Sequence, residues 1–302
     1  MYMSILKNKQ GERKAVSMLD QNIVDNFLPT FIVDDYDDDV LKKLASIYSE
    51  KTLIDVRNLG VDEILELKNI ISSLPELSHF NILYPIDVIL SAPEIEDINF
   101  ARIDKTKLNA FFIQWAKANI SSLPLNLVFD FEYIESEDQG DSATHLLELL
   151  NELSSDYHAF IVSGAIKKTI PVKVTENYRL ERIEKKLLQT LSSKVESDVH
   201  LHYGDYTVVH PIPSDPAPIT PVVQIKYTTD DNIDFFRNGQ RRGNYEFFKV
   251  CSDIVNSNPD FDPLYCWADT QIQEVHDAQQ NRGNAATWAA YGINRHISVN
   301  LK

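Results

Sequence analysis

Short apolar segments alternate with amphipathic ones along most of the chain, and this alternation limits the folds open to it more than any other feature. Eight segments have the length and near-continuous apolar character of strands that are buried on both faces. They are residues 2–6, 28–33, 52–56, 81–90, 125–132, 158–163, 199–203 and 222–227. Between them apolar residues recur three and four positions apart, as in Ile64, Leu67, Ile71 and Leu74, which predicts helices on the connections.

This rhythm predicts an α/β protein with a (β/α)8 TIM-barrel-like fold, because parallel strands joined by helices close readily into a barrel of eight. An open doubly wound sheet is the alternative. We predict one domain over residues 1–302, with a barrel core over 1–230 and a C-terminal extension over 231–302 that seals the barrel. Within that extension the pattern predicts an extra short strand at 233–237, two helices at 244–256 and 270–280, and a final strand at 295–301.

Charge and composition restrict the class of partner. The 302 residues include 29 Lys plus Arg against 45 Asp plus Glu, so the formal net charge is −16. This balance argues against general nucleic-acid binding, which depends on clustered basic residues. No apolar run reaches the roughly 20 residues of a membrane helix, and residues 1–12 lack the apolar segment of a secretion signal. We therefore predict a soluble cytoplasmic protein that has no membrane partner.

Acidic residues at the predicted strand ends are the candidate catalytic groups, because active sites of (β/α)8 barrels lie at the carboxyl ends of the strands. Asp55 and Arg57 end the third predicted strand, and Asp130 and Glu132 end the fifth. Residues two apart on a strand share a face. Asp55, Asp130, Glu132 and His202 could together hold Mg²⁺ or Mn²⁺ for phosphodiester hydrolysis. The alternatives are an Asp55–Arg57 ion pair that fixes the barrel rim and a buried, hydrogen-bonded His202.

Charged residues at other strand ends and in one turn are the candidate ligand-binding groups. They are Lys7, Lys9 and Glu12 after the first strand, Arg57, Asp205 after the seventh, Lys226 in the eighth, and Arg241. Lys9 and Arg57 would bind a phosphate. Arg241 lies in a basic turn, residues 238–244, that opens onto a predicted helix whose free N–H groups favour an anion. A solvated turn is the alternative for that segment.

An ordered series of segments resembles the beta protein family, which is named after a bacteriophage beta protein. The series comprises residues 2–12 with a Lys-x-x-Glu turn, 54–57, 204–211, 245–251, 269–288 and 295–296. The resemblance implies a single-domain protein of phages and of mobile or defence-associated bacterial loci. It implies no catalytic residues.

These observations predict a cytoplasmic factor in the conflict between phages and their hosts, encoded by the phage or by an antiphage defence locus, that recognises a phosphorylated ligand or a partner protein. A metal-assisted phosphodiesterase or nuclease at the carboxyl face of the barrel is the first alternative. An acidic partner-binding protein that imitates nucleic acid is the second, suggested by the net charge of −16 and by the aspartate-rich run at 34–39.

Overall fold

Eight parallel strands close into a barrel in the computed structural model, which describes residues 1–34, 36–92, 95–212, 220–242 and 245–302. The barrel strands are β1 (Tyr2–Leu6), β2 (Phe27–Ile32), β3 (Thr52–Asp55), β4 (Phe80–Pro85), β5 (Phe100–Asp104), β6 (Asn126–Tyr133), β7 (His158–Gly164) and β9 (His200–Asp205). They follow one another around the barrel in chain order, and β9 pairs with β1 to close it. The predicted α/β class and the (β/α)8 barrel are confirmed.

Amphipathic helices cover the outside of these strands. They are α2 (Asp38–Ala45), α3 (Val61–Ser73), α4 (Ile86–Ser91), α5 (Ala110–Ala118), α6 (Asp141–Leu150) and α7 (Ile183–Ser192). One core cluster joins the outward faces of the strands to helix residues such as Ile113, Leu146 and Leu187. A second cluster fills the barrel interior with side chains such as Met3 and Phe160. The strands are therefore buried on both faces, which is why they are nearly continuous apolar runs.

The eighth predicted strand belongs to a different sheet, which corrects the strand assignment. Residues 222–227 form most of β10 (Val222–Thr228), which pairs antiparallel with β11 (Asn232–Gln240), and β11 pairs with β8 (Tyr178–Glu181). The barrel strand that the sequence pattern missed is β5, whose five residues include Arg102 and Asp104. Arg102 is only 7% exposed, so a buried charge interrupted the apolar pattern by which the other strands were recognised.

The chain forms two compact units. The barrel unit consists of Met1–Lys7, Leu28–Ala165 and Ile183–Tyr206, and the second unit of Asn8–Phe27, Ile166–Arg182 and Thr207–Lys302. The second unit contains the three-stranded sheet and four helices, α1 (Gln10–Ser17), α8 (Phe247–Ser257), α9 (Trp267–Ala278) and α10 (Ala285–Leu301). Its core packs strand residues against helix residues such as Phe247 and Trp288. The predicted extra strand and the two predicted helices before residue 281 are confirmed.

The predicted final strand at 295–301 is wrong, because these residues form the end of α10. Their apparent alternation arose from counting Arg295 and His296 as exposed polar residues. Both are buried: Arg295 donates to Asp269, and the His296 ring nitrogen Nδ1 lies 3.0 Å from the Thr228 hydroxyl. Partnered polar side chains can occupy a helix core and so disguise its period.

Two predicted features lie partly outside the described residues. These are Asp35 in the aspartate-rich run and Gly243 and Asn244 at the end of the basic turn. Within the described part of the chain, none of the helices is long and apolar enough to span a membrane.

Candidate functional site

The carboxyl end of β3 carries a tightly held ion pair. Asp55 is fully buried, and its Oδ1 accepts the Arg57 backbone N–H at 3.0 Å while its Oδ2 accepts Arg57 Nε–H at 2.9 Å. Arg57 Nη2 also donates to Asp55 Oδ2, and Nη1 donates to the Tyr206 hydroxyl at 3.0 Å. Asp55 therefore fixes both the turn out of the strand and the plane of the Arg57 guanidinium.

Asp130, five residues into β6, is the centre of the same network. It has no exposed surface, and its Oδ2 accepts hydrogen bonds from Arg102 Nε at 2.8 Å and from the Tyr206 hydroxyl at 2.6 Å. Arg57 Nη2 lies 3.4 Å from the same oxygen. The Asp130 Oδ1 accepts the Glu132 backbone N–H at 2.9 Å. Two cations and one hydroxyl thus converge on a single carboxylate inside the barrel.

The pKa shifts in this network agree with the contacts. Burial of Asp130 raises the pKa of its carboxyl, but the charges of Arg102 and Arg57 outweigh burial and leave that pKa below its usual value. Burial and then the Asp130 charge raise the pKa of Tyr206 well above its ordinary range. Burial opposes the charged form of each arginine, yet the neighbouring carboxylates raise both arginine pKa values. At neutral pH the network therefore holds two arginine cations, an Asp130 anion and a neutral Tyr206.

Glu132 differs from the other members because its side chain is about half exposed and its backbone is strained. Its side chain is 43% exposed, and its φ of 55° lies in the left-handed region that favours glycine. The pairing of β6 with β7 shifts register between Asp130 and Tyr133, so a bulge places Glu132 at this point. Glu132 Oε1 accepts Arg102 Nη2–H at 3.2 Å. Strained residues of this kind concentrate at functional sites.

The aspartates of this site are already saturated with donors. All four carboxylate oxygens of Asp55 and Asp130 accept hydrogen bonds from the network itself. A metal ion would have to displace arginine donors to reach them. Among the described residues there is no group of three or more His, Cys, Asp and Glu side chains that could hold a metal ion. Arg102 Nη1 has no hydrogen-bond partner in the described ranges, and Arg102 Nη2 donates to Glu132.

His202, the fourth predicted catalytic residue, is not part of this network. It is the third residue of β9, whereas Tyr206 follows the end of that strand. Its ring stacks on His158, the first residue of β7, with the His158 Nδ1 and His202 Nε2 atoms 2.8 Å apart. Burial lowers the pKa of His202 to about 4. His202 is thus a neutral, partly buried histidine toward the amino ends of the strands.

Two predicted ligand-binding residues lie at the carboxyl ends of barrel strands, Asp205 in β9 and Lys7 after β1. Asp205 is buried and accepts hydrogen bonds from the hydroxyls of Tyr2 and Tyr203, each at 2.7 Å. Tyr206, the next residue, packs in the barrel interior, so the Asp205 side chain lies on the outer face of the strand. Lys7 is half-buried directly after β1 in the barrel unit.

The Lys-x-x-Glu turn has a local structural role. Lys9 immediately precedes α1 in the second unit, and the Glu12 carboxylate accepts the Lys9 backbone N–H at 2.9 Å. Glu12 is buried, whereas the Lys9 side chain is exposed. This contact caps the first turn of α1.

Lys226 and Arg241 also belong to the second unit. Lys226 Nζ donates to the Val208 carbonyl at 2.6 Å and lies 5.5 Å from the centre of the Phe235 ring. Arg241 is exposed and stacks over Tyr245 at 5.4 Å from the ring centre.

Two members of the network, Arg102 and Tyr206, were absent from the predicted site residues. Arg102 was missed together with β5, although the long interval between residues 90 and 125 signalled that one strand was lacking. Tyr206 follows Gly204 and Asp205, which read as a loop but continue β9. The structure therefore unites Asp55, Arg57, Asp130 and Glu132 with two residues that only the closed barrel reveals.

Comparison with known proteins gives one match. The model of the family described as Beta protein matches residues 102–301, about two thirds of the chain. No curated protein and no solved structure matches this sequence. The matched region includes Arg102, Asp130, Glu132 and Tyr206 but begins after Asp55 and Arg57.

Proposed function

The chain belongs to the beta protein family, and we propose that it recognises a phosphorylated ligand at the carboxyl ends of its barrel strands, with Arg102 as the anion-binding group and the Arg57 charge beside it. We propose further that the protein is a cytoplasmic factor in the conflict between phages and their hosts. That setting is supported by the sequence resemblance alone. The anion site is supported by the geometry of Arg102 and Glu132.

The contact between Arg102 and Glu132 carries the proposal. Arg102 uses Nε to hold Asp130, which leaves the Nη1 and Nη2 edge of the guanidinium for other acceptors. At present Nη2 donates to Glu132 at 3.2 Å, through a side chain that is 43% exposed. A phosphate group, like that carboxylate, is an anionic acceptor that can take two parallel N–H donors from a guanidinium. Glu132 therefore occupies the position that an anionic ligand would take.

The remaining charges explain why an anion can compete there. The two arginines are balanced by Asp55 and Asp130, both fully buried and hydrogen-bonded. Glu132 adds a further negative charge that, among the described residues, is paired with Arg102 alone and lies partly in water. The exchange leaves Arg102 paired, because the ligand anion accepts from the Nη2 donor that Glu132 releases as its carboxylate moves into water.

Calorimetric titration with orthophosphate, pyrophosphate and a panel of nucleotides tests the proposal. We expect Glu132→Gln to bind the preferred anion roughly five to ten times more tightly than the wild type, because the competing carboxylate is removed. We expect Arg102→Lys to weaken binding at least as much, because lysine lacks the forked donor edge.

Glu148→Gln is the matched control for the Glu132 variant. Glu148 lies exposed on α6, so this substitution makes the same change of net charge away from the site. Equal affinities of the wild type and Glu132→Gln, or an equal gain in Glu148→Gln, would contradict a specific role for Glu132. Absence of any binding across the panel in all variants would contradict the anion site itself.

The metal-assisted phosphodiesterase is the less favoured reading of the same residues. A hydrolase of that kind needs carboxylate oxygens that can reach the metal ion. Those of Asp55 and Asp130 are engaged by arginine, tyrosine and backbone donors. Cleavage of bis(p-nitrophenyl) phosphate in the presence of Mg²⁺ or Mn²⁺, lost in Asp130→Asn under conditions where circular dichroism shows that variant to be folded, would put the enzyme first.

The nucleic-acid mimic is also less favoured, because part of the aspartate-rich run has a local role. Asp37 accepts the Val40 backbone N–H at 2.9 Å and so caps α2, and Asp38 pairs with Lys42 one turn later at 3.4 Å. Carboxylates at a helix N-terminus oppose the positive end of the helix dipole. This segment therefore stabilises its own helix and needs no partner to explain its composition.

A further inference from the structure

One buried arginine of the second unit has no counter-ion. Arg237 belongs to β11 and is 7% exposed, yet no carboxylate in the described part of the chain forms an ion pair with it. Burial alone lowers its pKa, whereas a neighbouring carboxylate raises the pKa of Arg57, Arg102, Arg179 and Arg295. Buried charges in folded proteins are paired as a rule, so this one indicates a missing anion.

The guanidinium of Arg237 is held on one side only. Its Nη1 donates to the carbonyls of Val172 and Lys173 at 3.3 and 3.0 Å. Nε is enclosed and has no acceptor among the described residues, so a ligand cannot reach it. Nη2 has no acceptor there either, but it is not fully enclosed. The Nη2 N–H groups are therefore the donors that a ligand can meet.

The residues closest to Arg237 along and across the sheet do not supply the counter-charge. Gln224 is its partner in the pairing of β10 with β11, on the same face of the sheet. The Gln224 amide is neutral, so it can accept a hydrogen bond but cannot compensate a cation. Asp234, three residues before Arg237, is engaged by Arg179 at 2.6 Å. The described residues thus leave the Arg237 charge uncompensated.

Two basic segments meet at this arginine. Residues 166–175 contain three lysines, residues 235–242 contain three arginines, and neither segment contains Asp or Glu. The segments are adjacent, since the Gly239 N–H donates to the Val174 carbonyl at 2.9 Å. The next acidic residue, Glu176, lies 3.6 Å from Lys173 in an exposed pair, which compensates little. In a chain with a net charge of −16, these segments form a local positive field that attracts anions.

We propose that the second unit binds a small dianionic oxyanion, either free phosphate or sulfate or the phosphoryl group of a small molecule, through Nη2 of Arg237 between the two basic segments. Charge selects the ligand, because a neutral or cationic occupant would leave the buried guanidinium uncompensated. Two negative charges suit this field better than the single charge of a carboxylate. The site shares no residue with the Arg102 site, which belongs to the barrel unit.

Calorimetric titration of the full chain with sulfate, at constant ionic strength, tests the proposal. Sulfate is a dianion throughout the neutral range, and millimolar concentrations avoid the general stabilisation of proteins by concentrated sulfate. We expect Arg237→Met to bind sulfate at least about tenfold more weakly than the wild type, because it keeps the length of the side chain but removes its charge and donors. Acetate, with one charge, should bind the wild type more weakly than sulfate.

Arg282→Met is the matched control for this variant. It makes the same substitution at an exposed position of the same unit, where the arginine pairs with Glu274, and should keep the wild-type affinity for sulfate.

Gln224→Glu tests the same site while keeping the arginine. The new carboxylate lies opposite Arg237 and supplies an internal counter-ion, so we expect sulfate affinity to fall at least about tenfold. Gln280→Glu, at an exposed position of the same unit, is its control. This variant also decides the question if circular dichroism shows that Arg237→Met is unfolded.

The two anion sites can fail separately, because each titration is repeated in Arg102→Lys, in which the barrel site is weakened. Sulfate binding that persists in Arg102→Lys and is lost when Arg237→Met is added supports a site at Arg237. Absence of sulfate binding would overturn the proposal. So would equal affinities of the wild type and Arg237→Met, or undiminished affinity in Gln224→Glu. In those cases Arg237 is a structural residue held by the carbonyls of Val172 and Lys173.

Discussion

Arg102 Nε lies 2.8 Å from Oδ2 of Asp130, and these two residues on neighbouring barrel strands are almost entirely buried. Strands β5 and β6 pair in register so that Arg102 is opposite Val128, one pleat before Asp130. The arginine therefore reaches along the barrel interior toward the carboxyl ends of the strands. The same guanidinium contacts Glu132 at its other edge, so one side chain connects the buried charge to the exposed one.

Asp130→Asn should destabilise the protein by about 3 kcal/mol or more. The substitution preserves shape but removes the negative charge that compensates Arg57 and Arg102, and breaking a buried ion pair typically costs about 3–5 kcal/mol. Urea denaturation followed by circular dichroism measures the loss, with Glu148→Gln on the exposed face of α6 as the control. A change below about 0.5 kcal/mol would show that Asp130 is not a structural anchor of the site.

The part of this site that could be predicted consists of charges directly following apolar runs. Asp55 with Arg57 and Asp130 with Glu132 stood out because two-residue spacing at a strand end directs side chains to one face. Arg102 could not be recognised in the same way, because an arginine charge can be buried in a strand only when a carboxylate such as Asp130 lies beside it and compensates it. A sequence pattern treats every arginine as solvent-exposed, whereas the closed barrel supplies the missing partner.

His202 was misplaced for a related reason. The seventh predicted strand ended at residue 203, which put His202 near its carboxyl end, but β9 continues through Gly204 and Asp205. Position 204 of this strand requires glycine because its neighbours leave no room for a side chain: an added Cβ would lie 2.6 Å from Val162 Cγ2. Gly and Asp normally indicate a turn, so only the packing against β7 reveals the true end of the strand.

The φ of 55° at Glu132 leads to a prediction about backbone strain. Glu132→Gly should be more stable than Glu132→Ala by about 0.5–1 kcal/mol, although alanine is favoured over glycine at most positions. Both variants remove the carboxylate, so their difference isolates the left-handed backbone conformation. Urea denaturation of the pair measures it. Greater stability of the alanine variant would mean that the bulge relaxes to another conformation when the Arg102 contact is lost.

The lowered pKa of His202 predicts acid sensitivity between pH 6.5 and 4. Burial holds the folded-state pKa at about 4, below the unfolded value of 6.5, so in this window the unfolded chain binds more protons. The wild type therefore loses stability as pH falls from 6.5 to 4. Because the ring is partly exposed, we expect about 1–2 kcal/mol rather than the full equivalent of the shift.

Comparison with His202→Gln separates the contribution of the His202–His158 pair from that of other groups; burial also lowers the pKa of His158, whose ring contacts His202. Burial raises the pKa of Asp269 to about 6, which increases stability as pH falls and opposes the histidine effect. Asp269 is unchanged in the variant, so its effect cancels in the difference between the two unfolding free energies. His276→Gln is the control for the loss of an imidazole elsewhere in the chain. Parallel curves for the wild type and His202→Gln would exclude His202 as the acid-sensitive group.

Gly11→Ala should destabilise the second unit, although alanine is the better helix former. Gly11 is the second residue of α1, and an added Cβ would lie 2.6 Å from the Ala286 carbonyl oxygen of α10. Helix propensity favours alanine by up to about 1 kcal/mol, but this contact is with backbone and can be relieved only by moving α1, which we expect to cost about 1–3 kcal/mol. The net loss is measured by thermal unfolding with Gln10→Ala, an exposed neighbour in the same helix, as the control. A Gly11→Ala variant more stable than the wild type would show that propensity outweighs the close approach, and that the packing of α1 on α10 is looser than the backbone distance requires.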